Sequence, residues 1–243
     1  MPGIRTRNWS DNHMLEPICV VGAGRVGSAL AARLREGGVA VRTRAGRGLE
    51  TEGAELVLLC VPDGAIAEVA QQIEPGPWIA HVSGATPLVA LEPHRRRFSL
   101  HPLQTFTRAR GPEQLDGAWA AVTAETDEAR GHALELAQIL GLEPFHLADA
   151  DRPLYHAGAV VASNYLVTLH EAAAALVSAA GAPPEALVPL MRRTIENGFE
   201  LTGPIARGDW ATVEAHLAII RERLPALEPV YRTLADATQE LTQ

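Results

Sequence analysis

The basic side chains of this 243-residue chain are 21 arginines and nine histidines, with no lysine among them. Proton transfer near neutral pH therefore falls to histidine, the side chain whose ordinary pKa lies closest to 7. His156, Ser163 and His170 are spaced seven apart, and Asn164 adjoins the middle one. On a continuous helix that spacing puts the three on one face with Asn164 at its margin, a polar stripe in a segment otherwise rich in Ala, Val and Leu. A second histidine, His101 of His101-Pro102, follows the apolar stretch Phe98-Ser99-Leu100. The candidate catalytic residues are thus His156 and His101 as proton donors, with Ser163 and Asn164 as hydrogen-bond donors. In Leu201 to Asp209, Gly203-Pro204 and Gly208 impose turns and Asp209 is suited to cap a helix, while Arg207 offers a fork matched to a carboxylate. Arg207, Thr202 and Gly203 are the candidate substrate contacts.

What positions such groups is a cofactor-sized turn near the start of the chain. Ile18-Cys19-Val20-Val21 reads as a buried parallel strand, and Ala29, Leu30, Arg33 and Leu34 follow at helical spacing. Between them lies Gly22-Ala23-Gly24-Arg25-Val26-Gly27. Gly22 permits a tight turn, Gly24 lets backbone approach a pyrophosphate, and Gly27 lets the helix pack on the strand. The free N–H groups at the start of that helix, from Gly24, Arg25, Val26 and Gly27, then face the phosphates. This is a dinucleotide-binding pattern, and hydride transfer from such a cofactor needs from the protein chiefly positioning and a proton donor.

The second strand, Val39 to Arg44, ends in Thr43 and Arg44 with Arg47 close by, and has no acid before Glu50. A carboxylate about 20 residues after the first glycine would hold a ribose 2′-hydroxyl; arginine and threonine there suit a 2′-phosphate, so NADP(H) is expected over NAD(H). Leu56 to Cys60 ends in Val61-Pro62-Asp63, with Asp63 expected to cap a helix over 64–73, and Trp78 to Val82 ends in Ser83-Gly84. Strand ends of this kind lie at the carboxyl edge of a sheet, where open α/β folds bind ligands, so Val61, Pro62, Asp63, Ser83 and Gly84 join the candidate cofactor contacts.

The fold class is an α/β parallel-sheet domain over 16–150 followed by an all-α substrate and dimerisation domain over 151–243, with residues 1–15 expected as a disordered leader. Residues 152–180 are expected as one long helix, 185–201 as a second, and one or two more follow Asp209 with a break at Pro225. Arg95-Arg96-Arg97 is expected as a solvated loop. The net charge of -8 gives no basic footprint, so nucleic acid is not an expected partner. No metal is expected, because the histidines lack paired spacing and no cysteine adjoins them. No run of about 18 apolar residues suggests a membrane span, and two unpaired cysteines fit a cytoplasmic protein.

Taken together, Gly22 to Gly27, Val61-Pro62-Asp63, Ser83-Gly84, His101 to Phe106, Tyr155-His156-Ala157 with Ser163-Asn164-Tyr165, and Leu201 to Asp209 resemble a family of bacterial Rossmann-like predicted oxidoreductases with a helical C-terminal domain of unknown function. The resemblance implies kinship with 3-hydroxyacid dehydrogenases, pyrroline-5-carboxylate reductases and ketopantoate reductases, a C-terminal domain like that of 6-phosphogluconate dehydrogenase, and a homodimer through it. It further implies a lysine four residues before Asn164, where this chain has Val160, which points to His156 as the replacement. His101-Pro102 resembles a histidine-proline pair of prephenate dehydrogenases. The expected activity is NADP(H)-dependent reduction of a small keto acid, 2-dehydropantoate being the first substrate implied. The alternatives are an imine reductase of pyrroline-5-carboxylate type and a non-catalytic NADP(H)-binding sensor or scaffold.

Overall fold

The computed structural model describes residues 15–44 and 51–242. Arg47 and residues 1–14 of the expected leader lie outside them. Leu15, included in that leader, is fully buried in the first core cluster. Two compact units divide the chain at 160/161.

The first unit is built on a seven-stranded sheet: β1 (Ile18–Val21), β2 (Val41–Arg44), β3 (Leu56–Leu59), β4 (Trp78–His81), β5 (Arg97–Leu103), β6 (Trp119–Ala124) and β7 (Glu143–His146). Their order is β2-β1-β3-β4-β5-β6-β7. β1 to β5 run parallel, β6 is antiparallel to β5, and β7 is parallel to β6. The sequence dictates this centre directly: every residue of β1, β3 and β4 is buried, as strands covered on both faces must be. One face packs Ile18, Val20, Leu56, Leu58, Phe98 and Leu100 against Leu30 and Leu34 of α1 (Arg25–Glu36) and Leu136 and Leu140 of α3 (Asp127–Leu140). The other packs Cys19, Val57, Leu59 and Ile79 against Ile66 and Ala70 of α2 (Ile66–Gln71). Strand order reverses at β1, whose neighbours are β2 and β3, and such a switch point opens a crevice at the carboxyl ends.

Several local expectations change. Asp63 does not cap a helix: it opens a 3-10 turn, Asp63–Ala65, with no side-chain cap bond, and α2 begins only at Ile66. β5 does not stop before His101 but runs to Leu103, because β6 continues to pair with it after β4 has ended at the His81–Ser99 step. The run Arg95-Arg96-Arg97 is not a free loop. Arg97 opens β5, is buried, and forms a two-pronged pair with Glu125, while Arg96 lies over the Trp78 ring at 5.0 Å.

The unit closes with α4 (Arg152–Val160). The second unit holds α5 (Leu166–Ala179), α6 (Leu187–Glu196), α7 (Trp210–Arg223) and α8 (Glu228–Glu240). The long helix expected from 152 to 180 is interrupted by a π-helical segment, Val161–Tyr165. Within the second unit Val213, Leu217 and Ala235 form a small core with Ile205 and Tyr231, and Asp209 caps α7 through Thr212. Much apolar surface stays uncovered: no residue of α5 or α6 is buried, and Val167, Leu190 and Phe199 are each more than 60% exposed.

Candidate active site

The glycine turn separates into glycines that the fold requires and one that it does not. Gly22 has φ +113, and a Cβ there would strike the carbonyl of Cys60; a Cβ on Gly27 would strike the carbonyl of Gly22. Both are imposed by the close passage of α1 over β1 and β3. Gly24 has extended backbone, φ -74 and ψ -171, and a Cβ there would meet nothing within 4 Å. The fold does not need glycine at that position, whereas a ligand approaching the backbone would. α1 has no side-chain cap and no acid in its first turn, so its leading N–H groups face the same opening. A cleft of about 190 Å³ lies there, walled by Gly24, Arg25 and Ser28 and, across from them, by Thr107, Arg108 and Arg110. These residues fit a pyrophosphate. Arg108 and Arg110 carry no sequence signal that would have singled them out, since they sit in the loop after β5 and meet the turn only through folding.

β2 ends beside this turn, with the Gly22 N–H donating to the Arg44 carbonyl at 2.9 Å. Thr43, on the opposite face of the strand from Arg42 and Arg44, accepts a hydrogen bond from Arg35 of α1 at 2.7 Å. Arg35 is a cation at this strand end that the sequence count from Gly22 passes over, because it belongs to the preceding helix. Arg42 turns away, donating to the Glu52 carbonyl at 2.6 Å.

The two candidate histidines of the first unit come together. A Cβ on Gly84 would lie 2.9 Å from Cε1 and Nε2 of His101 and 3.0 Å from Cδ2 of His156. His101 projects from the part of β5 that extends past β4, and His156 comes from α4. Gly84 is the residue that lets both rings approach. On its far side His101 Nδ1 is 2.7 Å from the Tyr155 hydroxyl, with the rings edge to face at 5.5 Å. Burial, together with the charges of His156 and Arg152, brings the His101 imidazole down to about 4, while Asp63 acts in the opposite direction. His101 is therefore neutral at pH 7 and offers a single ring N–H. Burial pushes the Tyr155 phenol up to about 12, so it keeps its proton.

A buried anchor holds this cluster. Arg152 is 1% exposed; its Nε donates to Asp149 at 2.8 Å and its Nη1 to the Ser83 carbonyl at 3.0 Å. Asp149 accepts in turn from the Leu88 N–H at 3.1 Å. Ser83 also has a structural part: its hydroxyl accepts from the Ala85 and Thr86 N–H groups and closes the turn that carries Gly84. His81, fully buried, accepts from the Ser83 N–H through Nδ1 at 3.2 Å, and burial with the Arg152 charge brings it down to about 3. Neither Tyr155 nor Arg152 stood out as a site residue in the sequence, since each reads as an ordinary helix-start residue.

Val61 and Pro62 follow β3, next to Cys60, against which Gly22 and Gly27 pack. Contacts thus run from the glycine turn through Cys60 to Asp63, and the Asp63 charge reaches His101. The remaining candidates lie in the second unit. Ser163 and Asn164 are in the π-helical segment, which ends the α-helical spacing that would have aligned His156, Ser163 and His170 on one face. Thr202 and Arg207 are exposed and Gly203 has φ +99 in the turn that leads to Asp209.

Residues 118–238 match the family described as a domain of unknown function, DUF2520. No curated protein matches the sequence. Among solved structures, one described as a candidate NADP oxidoreductase from Bacteroides fragilis aligns with TM-score 0.76 at 23% identity, over 92% of this chain and 97% of its own. Protein TM1727 from Thermotoga maritima aligns with TM-score 0.73 at 22% identity, over 93% and 98%. A 1-pyrroline-5-carboxylate reductase from Streptococcus pyogenes aligns with TM-score 0.59 at 15% identity, over 93% and 97%. The chain has a Rossmann-like fold of the kind these structures share, and its residues 118–238 are similar to the DUF2520 domain.

Proposed function

We propose that this protein is an NADP(H)-dependent reductase of a small carboxylate-bearing ketone, 2-dehydropantoate being the first to try. The observation that carries the reading is the convergence of His101 and His156 on Gly84, at the sheet edge that also holds the open Gly24 turn. In this reading the N–H groups of Gly24, Arg25, Val26 and Gly27 hold the pyrophosphate, helped by Arg108 and Arg110. Thr43, Arg44, Arg47 and Arg35 receive the 2′-phosphate, and Val61, Pro62, Asp63, Ser83 and Gly84 border the nicotinamide side. The cofactor, when bound, supplies the hydride.

The chain's own contribution is proton and hydrogen-bond chemistry. His101, neutral and held by Tyr155, gives the substrate oxygen a hydrogen bond from Nε2–H on the Gly84 side and keeps that proton; the proton that completes the alcohol is passed from His156, which solvent then restores. His156 stands beside it as the second donor. Ser163 and Asn164 enter as hydrogen-bond donors, and Arg207 with Thr202 and Gly203 as carboxylate contacts, on the strength of their sequence pattern. Reduction of an imine such as 1-pyrroline-5-carboxylate is a second reading, favoured by the likeness to the Streptococcus pyogenes reductase.

The uncovered apolar side chains of the second unit support a homodimer through that unit. The helical run 149–179 is long and apolar enough to cross a bilayer, with mean hydropathy 1.3 in its most apolar window. It carries His156, Ser163, Asn164, His170 and Glu171, which a hydrocarbon core would penalise, so a second copy of the chain is the better cover. Cys19 and Cys60 are unpaired, which suits a reducing, cytoplasmic setting.

The test is titration with NADPH and NADH followed by tryptophan fluorescence, then a panel of keto acids and cyclic imines. NADPH-selective binding with turnover that is lost in His101→Ala and His156→Ala, cofactor binding being kept, supports the reading. Full activity in both variants would sink the assigned site, and cofactor binding with no turnover across the panel would favour a sensor or scaffold.

A further inference from the structure

The geometry points to Tyr155 as the positioning residue that fixes the tautomer of His101, so that the ring proton sits on Nε2 and faces Gly84. A neutral imidazole carries one N–H, and whichever nitrogen accepts a hydrogen bond leaves the proton on the other. The Tyr155 hydroxyl stands 2.7 Å from Nδ1. Nε2 and Cε1 are the ring atoms that lie against Gly84, alongside His156. If Tyr155 donates, Nε2 is a donor toward that space; if Tyr155 accepts, Nε2 is bare and offers only a lone pair.

One feature selects donation, and a second holds the geometry in which it occurs. The permanently charged Arg152, three residues before Tyr155 and locked by Asp149 and Ser83, polarises the phenol toward giving its proton and away from accepting one. The tyrosine ring is itself held from a second side, with Phe145 at 5.9 Å, so the hydroxyl stays aimed at Nδ1. The charged and titratable groups facing His101 are Asp63 after β3, His81 on β4, and Arg152, Tyr155 and His156 around the start of α4. Among the described residues, Tyr155 is the hydrogen-bond partner of Nδ1. The catalytic consequence of this assignment rests on the reductase reading; the tautomer itself does not.

The decisive experiment is 15N NMR of histidine-labelled full-length protein at pH 7, with the His101 signals identified by their loss in His101→Asn. The expected wild-type spectrum shows Nε2 protonated and Nδ1 unprotonated, and Tyr155→Phe shifts His101 to a mixture of both tautomers. Wild-type His101 protonated on Nδ1 would overturn the proposal, and so would an Nε2–H tautomer that stays pure in Tyr155→Phe. Should the variant fail to fold, the wild-type spectrum still decides between donation and acceptance. Once a substrate is found, Tyr155→Phe lowers kcat about tenfold and leaves NADPH affinity unchanged. A spectrum as expected with no turnover on any substrate would dismiss the reductase reading and leave the tautomer assignment standing.

Discussion

Arg152 Nη1 donates to the carbonyl oxygen of Ser83 at 3.0 Å, tying the start of α4 to the turn that carries Gly84 across 69 residues of sequence. Its guanidinium is 1% exposed and its charge is met by Asp149. Removing Arg152 leaves the Ser83 carbonyl without its partner and Asp149, more than a third exposed, without its counter-charge, which costs about 1–3 kcal/mol. Arg152→Ala is expected to lower the stability of the first unit by that order in urea unfolding followed by tryptophan fluorescence. Arg152→Lys, which keeps the charge but loses the fork, should recover part of it.

Gly84→Ala tests the convergence of the two histidines. The added methyl group would stand 2.9 Å from the His101 ring and 3.0 Å from that of His156, tighter than ordinary contact, so one or both rings must move. Misplacing a catalytic group by about 1 Å costs on the order of 100-fold in rate. Steady-state kinetics should therefore show kcat reduced by about two orders of magnitude. NADPH affinity, which rests mainly on the turn after β1, should fall far less than kcat, since Gly84 borders only the nicotinamide side.

How much of this was legible before folding depended on whether a group's partner was near it in sequence. The β1 turn, the apolar strands β3 and β4 and the Asp209 cap are local patterns, and the structure contains each of them. The pairing of His101 with His156 spans 55 residues, and only the positions, not their meeting, were open to sequence reasoning. Tyr155, Arg35 and Arg108 went unread for the same reason: each matters through a partner that another element brings to it. The extension of β5 through His101 was hidden because it is β6, antiparallel and later in the chain, that sustains it. The π-helical segment at 161–165 leaves no mark on apolar spacing, so the sequence alone gives a regular α-helical count through it.

The three glycines of the turn predict three different variants. Gly27→Ala forces a methyl group into the carbonyl of Gly22, and relief requires backbone movement costing about 2 kcal/mol. Gly22→Ala meets the Cys60 carbonyl at a positive φ and should be at least as damaging. Gly24→Ala has room and an ordinary extended backbone, so its loss of stability should stay below about 1 kcal/mol. NADPH affinity should nevertheless fall at least tenfold in Gly24→Ala. Thermal unfolding paired with cofactor titration separates the outcomes, and unchanged affinity in a folded Gly24→Ala would remove the turn from the binding site.

Acid should destabilise the first unit in a defined window. His81 and His101 are held down to about 3 and about 4 by burial, against 6.5 for an ordinary histidine. Below pH 6.5 the unfolded chain therefore binds protons that the native state refuses, and stability falls with pH by up to about 1.4 kcal/mol per group per unit. The stabilisation is complete above 6.5, is lost as pH falls toward 4, and levels off once both native histidines have titrated. Unfolding free energies at pH 7, 6 and 5 should show this slope, and His81→Asn should flatten it by removing one of the two groups.

Cofactor choice should turn on the end of β2. Arg35 of α1 donates to Thr43 at 2.7 Å, beside Arg44, whose carbonyl accepts from Gly22. Guanidinium groups and a hydroxyl at one strand end suit a 2′-phosphate, which they meet by two-pronged hydrogen bonds, whereas they have little to offer an unphosphorylated ribose. Arg35→Ala and Arg44→Ala should each weaken NADPH binding about tenfold and leave NADH binding nearly unchanged, a combined effect that dissociation constants at fixed ionic strength will read. Raising the salt concentration should mimic the variants in the wild-type protein, since these side chains act at the surface. If NADH bound as tightly as NADPH in the wild-type protein, the arginines here would be surface residues and the preference for the phosphorylated cofactor would fall.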